Sequence, residues 1–547
     1  MSYGTNGSVI GPDNAPTASA ASGVWSLGEI AEARRDGVWP EPPTGFILLW
    51  GDPDDTGGVN AECYPYAMGK LSNGTSMRLG TRWNSSNANS SRIASGTLDF
   101  SGFPNAPTTM DDQHTWNWTF SGSTPSWTIY TEDPRNTYVD SSDNMYQCGA
   151  IYDASYSYYQ AAVRKFDSSQ AVQWNVVFES TAGTSTGLAN QLNVIKTASG
   201  YPIFVTPVYG YNYYANKPRM QMLLLSDTDG SVQQSKMCYD SADTWSAAQA
   251  NGPFRITNPN GDKFAYAFGD FVGTYQTVCV ELWSVTSTSM GNEWALSNAN
   301  LKNNSSSAWG GNDCYVYGSW LDSSNNVWLH VSFASYNLDS SGTKTNSAIV
   351  KYDSSGNFDS NYLIIRSDVT AGYDHPMYPG GIIGDNAGNI YVSGYSMIPG
   401  GSVSAPFIAK IDVSGATPSM TWITQAGTAA GNNYAQNIEL VGSDMVVSMG
   451  YGTTPSASGT AVVGTMVALN TDGETLGSST VDGQSWSTID LSPYVSNATT
   501  HTSLVNQTGS NFTATNNSLT QAGDVNTWID DVPATASTAI LVESGGI

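Results

Sequence analysis

The sequence predicts an all-β protein built as a β-propeller of six or seven blades. Glycine (55 residues) and aromatic residues (11%) are abundant in the 547-residue chain, whereas charged residues make up only 12%. Such a mixture suits short strands joined by tight turns, because long surface helices use more Glu, Lys and Arg. Two markers that recur about every 60 residues then predict how the strands are grouped.

The first marker is a turn rich in Asp, Asn and Gly that leads into a strand, as in DNAGNIYVSGYS at 385–396. These residues supply turn hydrogen bonds and positive φ, and the alternation that follows is typical of a strand. One strand position recurs at intervals of 57, 61, 64, 63 and 55 residues, at Tyr146, Ile203, Phe264, Trp328, Tyr391 and Val446.

The second marker is another strand, polar turn and strand that follows each first marker. Its turn recurs at intervals of 60, 57, 69, 59 and 58 residues, at Asp167, Asp227, Ser284, Asp353, Asp412 and Asn470. One unit therefore holds four strands in about 60 residues, which is the size of a propeller blade. A stack of β-helix coils is the structural alternative, but its rungs are shorter.

The repeats divide the chain into four regions. We expect an N-terminal arm with a short docking helix (1–46), a β-rich connecting region that could contribute a blade (47–137), the propeller repeats (138–482), and a C-terminal β appendage or ring-closing segment (483–547). Six copies of the repeat are readable. A seventh blade would be split between the chain ends and use a strand such as 95–103 or 538–545.

Two segments resemble a known repeat family. Bacterial propeller repeats of about sixty residues carry D-x-x-G-N-x-Y-V-x-G followed by F-x-x-K-[LI]-D-x-x-G-x-x-x-W. The segments at 385–394 (DNAGNIYVSG) and 407–422 (FIAKIDVSGATPSMTW) are similar to that pattern, and the copies at 192–238 and 255–297 are degenerate. The resemblance implies the propeller fold and no particular activity.

The N-terminal arm begins with an extended Gly, Ser, Ala and Asn-rich segment and continues as SGVWSLGEIAEARRDGVWP. Ser26 and Glu29 form a capping box, and Gly37 is suited to the helix end. A helix of about eleven residues is marginal alone, so it needs a surface to pack on. We predict docking through four apolar residues, Trp25, Leu27, Ile30 and Trp39.

Residues 23–40 of this arm resemble a motif of tailed-phage virion structural proteins, G-V-W-[ST]-L-x-E followed by A-R and G-x-W-P. The resemblance implies a tail, fibre or other virion-surface protein that is assembled in the host cytoplasm. The first 23 residues lack the basic and apolar regions of a Sec signal, which agrees with that expectation.

The negative charge of the chain limits the partners that we expect it to bind. With 20 basic and 46 acidic residues the net charge is −26, so we expect no binding to nucleic acid and no membrane insertion. No run of 18 apolar residues occurs. The five cysteines are widely spaced and odd in number, which argues against a disulfide framework or a zinc site.

The sequence offers little for catalysis or for a cofactor. No HExxH, GxSxG or phosphate-binding loop is present among the motifs that carry such chemistry. Asp374 and His375 could lie on a propeller face, although a structural turn is the plainer interpretation. Asp52, Asp54 and Asp55 in GDPDDTGG could hold Ca²⁺ but lack the EF-hand spacing, so a solvated acidic turn is favoured. We predict no resident metal, no cofactor and no catalytic residue.

Binding is better supported by the 30 tyrosines and 17 tryptophans. Aromatic rings can stack on sugars, and tyrosine-rich runs lie between expected strands. The candidates for contact with a glycan or a partner are Tyr156, Tyr158, Tyr159, Tyr211, Tyr213 and Tyr214. Packing between blades is the alternative role for these residues.

These observations predict a virion structural protein, tail or tail-fibre associated, that is not an enzyme. It would dock through its arm and display the propeller for host attachment or packing between subunits. We expect other virion proteins, further copies of the chain and host-surface glycans as partners. The alternatives are a capsid decoration or head-fibre protein, a bacterial surface adhesin, and a glycan-degrading propeller enzyme.

Overall fold

The computed structural model confirms the β-propeller and has seven blades among the residues it describes. The described residues are 45–51, 62–84, 91–117, 119–120, 129–130, 137–153, 158–179, 185–186, 193–198, 200–209, 219–240, 255–272, 275–287, 289–299, 315–336, 343–359, 361–368, 371–428, 431–456, 459–473, 478–481, 484–498, 512–516, 520–522, 528–529 and 541–546. The chain divides into two units, 1–44 and 45–547, and the first lies outside these ranges.

Each blade is an antiparallel sheet whose strands follow one another from the ring axis outward. Blade 1 contains Glu62–Lys70, Ser76–Asn84, Ser91–Asp99 and Asp111–Asn117. Blade 2 contains Thr137–Val139, Met145–Asp153, Tyr158–Phe166 and Val172–Glu179, with Ile129–Tyr130 also paired to its second strand. Blade 3 contains Asn193–Lys196, Pro202–Tyr209, Arg219–Leu225 and Val232–Asp240, with Ser185–Thr186 paired to its second strand.

The remaining blades follow the same plan. Blade 4 contains Arg255–Ile256, Lys263–Val272, Tyr275–Val285 and Met290–Ala299. Blade 5 contains Tyr315–Leu321, Val327–Tyr336, Thr343–Tyr352 and Leu363–Ser367. Blade 6 contains Tyr378–Gly384, Asn389–Met397, Ser404–Asp412 and Ser419–Thr428. Blade 7 contains Asn433–Val441, Met445–Ser456, Gly459–Asn470 and, from the N-terminal side, Gly45–Gly51.

Both sequence markers correspond to fixed positions in the blades. The six first-marker residues all lie in second strands, and all are buried, from Tyr146 in blade 2 to Val446 in blade 7. Five of the six second-marker residues lie at or next to the turns between third and outer strands, and Asn470 ends the third strand of blade 7, whose outer strand comes from the N-terminal side. The period of about 60 residues is therefore the period of the blades.

The ring is closed by strand Gly45–Gly51, which pairs with the third strand of blade 7 (Gly45 opposite Leu469). Its side chains alternate between two neighbours. Phe46 and Leu48 pack in a cluster with core residues of blade 1, whereas Ile47 and Leu49 pack in a cluster with core residues of blade 6. The split seventh blade is thus observed, but segment 95–103 overlaps the third strand of blade 1 and does not close the ring.

The C-terminal segment adds strands to the outer edges of blades that precede it in the chain. The added strands are Gln484–Asp490 on blade 6, where Ser478–Val481 pairs outside it, Val495–Ala498 on blade 5, Phe512–Asn516 on blade 3, Thr520–Ala522 on blade 2 and Leu541–Gly546 on blade 7. Trp528–Ile529 pairs with Thr119–Phe120, just after blade 1, and a 3-10 helix spans Ser492–Tyr494. The segment therefore circles the ring and covers strand edges that could otherwise pair with another chain.

Neighbouring blades are joined by a repeated contact between a tryptophan and a glycine. In the outer strand of blade 6, Trp422 donates its indole N–H to the carbonyl of Thr471 in blade 7 (3.3 Å). A Cβ at Gly473, whose φ is +73°, would overlap the Trp422 ring, so the turn needs glycine for both reasons. Trp174 with Gly230 and Trp294 with Gly356 repeat this arrangement in blades 2–3 and 4–5.

Replacing Trp422 with alanine should lower the free energy of unfolding by about 3 kcal/mol, because it removes the ring packing and one hydrogen bond. Trp422→Phe keeps a ring over Gly473 and should lose less than half of that amount. Denaturation followed by circular dichroism measures both variants. Equal losses in the two variants would contradict a role for the ring contact.

Candidate functional site

The central channel has two chemically different ends. All inner strands run in the same direction, so their first residues lie at one face of the ring and their last residues lie at the other. We call the face with the first residues of the inner strands the tyrosine face, and the face with their last residues the cavity face. The turns between first and second strands, and those between third and outer strands, lie at the cavity face.

A cavity of about 780 Å³ occupies the cavity face. All seven blades line it, through residues such as Lys70, Tyr138, Ile195, Asn258, Trp320, Asp385 and Glu439. The lining mixes amides and hydroxyls with two carboxyl groups and one lysine. A cavity of this size and polarity could hold a small polar molecule.

The two carboxyl groups of the cavity differ in proton affinity. Burial raises the pKa of Glu439, while Lys70 and the N–H of Leu440 (3.2 Å) act in the opposite direction. Burial also acts to raise the pKa of Asp385, but hydrogen bonds from the Asn389 side chain (2.6 Å) and the backbone N–H of Ala387 (2.7 Å) outweigh it and lower that pKa. Glu439 therefore binds a proton more readily than an ordinary glutamate, and Asp385 stays ionised.

The densest group of charges lies between blades 2 and 3 and is structural. Lys196 contacts Asp140 (2.8 Å) and Asp227 (3.2 Å), and Lys165 contacts Asp227 (3.0 Å). The Tyr146 hydroxyl donates to Asp227, and burial is the main cause of its raised pKa. Each carboxylate has partners within the network, so these residues join the blades and offer no open ligand position.

The tyrosine face carries six partly buried tyrosines of blades 5, 6 and 7, which we call the tyrosine ladder: Tyr315, Tyr317, Tyr378, Tyr395, Tyr434 and Tyr451. Tyr378 and Tyr395 are cross-strand partners in blade 6, with rings stacked at 4.7 Å and 16°. Tyr434 and Tyr451 are the corresponding partners in blade 7, with ring centroids 5.0 Å apart.

A ring contact connects the ladder across blades 6 and 7, and Tyr317 of blade 5 interacts electrostatically with Tyr378 and Tyr395 of blade 6. The Tyr395 ring meets the Tyr434 ring edge to face at 4.9 Å, which joins blades 6 and 7. Burial raises the pKa of Tyr395, and the neighbouring phenols of blades 5 to 7 raise it further. At the blade 4 side, Arg255 donates through Nε to the carbonyl of Tyr317 (2.5 Å). The result is a row of neutral aromatic rings beside the channel opening.

The tyrosines predicted from the sequence to contact a glycan or a partner differ from those of the ladder. Tyr158 and Tyr159 are the first residues of the third strand in blade 2 and thus lie at the tyrosine face. Tyr156, Tyr211, Tyr213 and Tyr214 lie outside the described residues. The ladder has a signal that was missed: Tyr378 and Tyr395 are 17 residues apart, Tyr434 and Tyr451 are also 17 apart, and the two pairs are separated by 56 residues, close to the blade period.

The other predicted site residues are placed as follows. Asp52, Asp54 and Asp55, and the docking residues Trp25, Leu27, Ile30 and Trp39, lie outside the described residues. Asp374 and His375 lie in the connection that leads into blade 6, at the tyrosine face, where His375 packs edge to face on Tyr373 (5.0 Å).

In the described ranges, no three His, Cys, Asp or Glu side chains are grouped as a metal site would require. Nor does any helix in those ranges have the length and apolar character needed to span a membrane.

The similarity of the chain to known proteins is distant. No protein-family model matches the chain, and no curated protein matches it. Among solved structures, it is similar to an ulvan lyase of polysaccharide lyase family PL25 (9% identity, TM-score 0.37, 72% of this chain and 92% of that chain). It is also similar to Sqt1 from Chaetomium thermophilum (10% identity, TM-score 0.37, 78% and 98%).

A third similar structure is the subtype N11 neuraminidase-like protein of A/flat-faced bat/Peru/033/2010 (8% identity, TM-score 0.32, 79% of this chain and 95% of that chain). These findings correct the prediction that the chain is not an enzyme: chains with this architecture include enzymes, so a propeller without a recognisable motif gives no ground for excluding catalysis. At such low identity and TM-score the likeness assigns no reaction to this chain.

Proposed function

We propose that this chain is a structural protein of a tailed-phage virion, associated with the tail or a tail fibre. It docks to the particle through residues 1–46 and displays its propeller for host attachment or for packing between subunits. The observation that carries the proposal is the tryptophan-bracketed motif at 23–40, GVWSLGEIAEARRDGVWP, which resembles a motif near the N-terminus of such proteins.

The pairing of the closing strand supports this function. Residue 45 begins the closing strand of blade 7, which pairs on one side with the third strand and on the other side with Leu541–Gly546. Because this strand is held on both sides, a load at its first residue is shared by the whole blade. The strands that the C-terminal segment adds cover outer edges, which suits a protein displayed at high density.

Purified particles should contain the chain, and mass spectrometry of virions tests this directly. Replacing Trp25 and Trp39 together with alanine should reduce incorporation at least about tenfold, because these two rings are the largest apolar groups of the arm. Ser19→Ala, in the same arm but outside the motif, should leave incorporation unchanged.

Absence of the chain from purified virions would refute the proposal. Labelling of intact particles with an antibody against the propeller locates the chain. Label on the head instead of the tail would favour the capsid decoration or head-fibre alternative.

A further inference from the structure

We propose that the tyrosine ladder is a binding site for an uncharged sugar chain. The site comprises Tyr378 and Tyr395 of blade 6 and Tyr434 and Tyr451 of blade 7, extended by Tyr315 and Tyr317 of blade 5. In assigning this sugar chain to a host surface, the proposal rests on the proposed function.

The rings are held in place before any ligand arrives. Tyr378 and Tyr395 occupy directly opposite positions of neighbouring strands, and so do Tyr434 and Tyr451. Each ring is partly buried, and the contact of Tyr395 with Tyr434 (4.9 Å) connects the two pairs. Side chains that are already ordered lose little entropy on binding, which favours affinity.

The chemistry of the ladder matches a sugar. Aromatic faces pack against the C–H faces of a pyranose ring, and each phenol can donate and accept a hydrogen bond. Burial raises the pKa of Tyr395 and of Tyr451, so these phenols stay protonated and uncharged in neutral solution. The ladder therefore combines aromatic rings with neutral hydroxyl groups, two kinds of group that bind sugars.

The charge of the protein selects an uncharged ligand. The net charge of −26 repels acidic polysaccharides at long range. The cation at the blade 4 end of the ladder, Arg255, is 6% exposed and donates to the Tyr317 carbonyl, which limits its use for a carboxylate or sulfate group. A neutral hexose polymer meets neither obstacle.

The ladder also lies on the face away from the arm's attachment point. Gly45 is opposite Leu469, and the turn that follows Leu469 includes Thr471, which lines the cavity. Residue 45 is therefore at the cavity face, and the ladder is at the opposite face.

The test is affinity electrophoresis and calorimetry of the full chain with neutral dextran, laminarin and galactan, and with acidic alginate and polygalacturonate. We expect binding to at least one neutral polymer and none to the acidic ones. Tyr434→Leu, which removes a ring and keeps apolar volume, should weaken binding about tenfold or more. Tyr201→Leu is the matched control, since Tyr201 is equally half-buried but lies at the cavity face, and it should bind normally.

A smaller substitution distinguishes loss of binding from loss of folding. Tyr378→Phe keeps the ring packing, so it should fold, and loss of one hydroxyl should weaken binding about three- to tenfold. Failure of the wild-type chain to bind any of the neutral polymers, a preference for alginate, or unchanged affinity in both ladder variants would overturn the proposal. A chain found in virions that binds no neutral sugar would overturn this inference and leave the proposed function standing.

Discussion

An aspartate in place of Ile47 should open the propeller ring. Ile47 is fully buried in the closing strand of blade 7, opposite Val467 of the same blade, and it packs in a cluster with Tyr391 and Ile408 of blade 6. The substitution removes an apolar side chain and buries a charge with no partner, at a cost of about 4 kcal/mol or more. Native domains are stable by only about 5–15 kcal/mol, so this cost is a large fraction of the stability.

Thermal unfolding by circular dichroism and limited proteolysis measure this effect. Because the closing strand holds both neighbouring blades, we expect early cleavage in blade 7 as well as a lower melting temperature. Thr421→Asp is the matched control, since it places the same charge at an exposed strand position of blade 6. A variant that melts with the wild-type protein would show that the closing strand contributes little to the ring.

The closing strand illustrates what the sequence could not predict. GFILLWG is a short apolar run without a turn signature, and its partners lie more than 400 residues away, at Gly464–Leu469. Local patterns indicate that such a run is a buried strand and say nothing of the sheet it joins. The repeats were predictable because each blade brings its own turns, and turn residues carry a local signal.

The pairing of the C-terminal strands with the blades was not predicted, for a related reason. Segments such as Thr520–Ala522 and Val495–Ala498 are three and four residues long, and their pairing is decided by edges that the blades leave open. Neither segment has the length or alternation that identifies a strand by itself. Their position depends on tertiary structure, so only the completed ring explains it.

The candidate site also combines features with a local sequence signal and features that depend on tertiary structure. The tyrosines in the loops were predicted as contact residues because they are close together in the sequence. The tyrosines of the ladder are spread over three blades. Tyr378 and Tyr395 become neighbours only when the strand register is known. The equal spacing of the two pairs was present in the sequence, but its meaning required the turn between first and second strands to be placed correctly.

A decrease in pH should destabilise the propeller through His330, well before most carboxylates are protonated. His330 is fully buried in the second strand of blade 5. Its Nδ1 lies 3.3 Å from the carbonyl oxygen of Gly381 in blade 6, and its Nε2 contacts the Ser347 hydroxyl. If Nδ1–H donates to Gly381, Nε2 accepts from Ser347, so the neutral ring is satisfied on both sides. Burial lowers the pKa of His330 to about 4, against its ordinary value of 6.5.

The direction of this change in stability follows from the difference in proton binding between the folded and the unfolded chain. Between pH 6.5 and about 4 the unfolded chain binds a proton at His330 and the folded chain does not, so stability falls as the pH is lowered through this window. The loss approaches about 3 kcal/mol at the lower end, and no stability is lost through His330 above the window. Asp140 and Asp227, whose pKa values are lowered, act below this range, because their unfolded values are near 3.8.

Denaturant unfolding at several pH values tests this prediction in wild type and in His330→Gln. The variant should be less stable at pH 7 but should lose much less stability between pH 6.5 and 4, since it has no group that titrates there at this position. Ser332→Ala is the matched control: Ser332 is buried in the same strand and its hydroxyl does not titrate in this range, so its replacement should keep the wild-type slope. Glu439, whose raised pKa acts in the opposite direction, is present in all three proteins, and so the difference between them isolates His330. Parallel pH profiles for wild type and His330→Gln would mean that the blade 5–6 interface admits the charged imidazole.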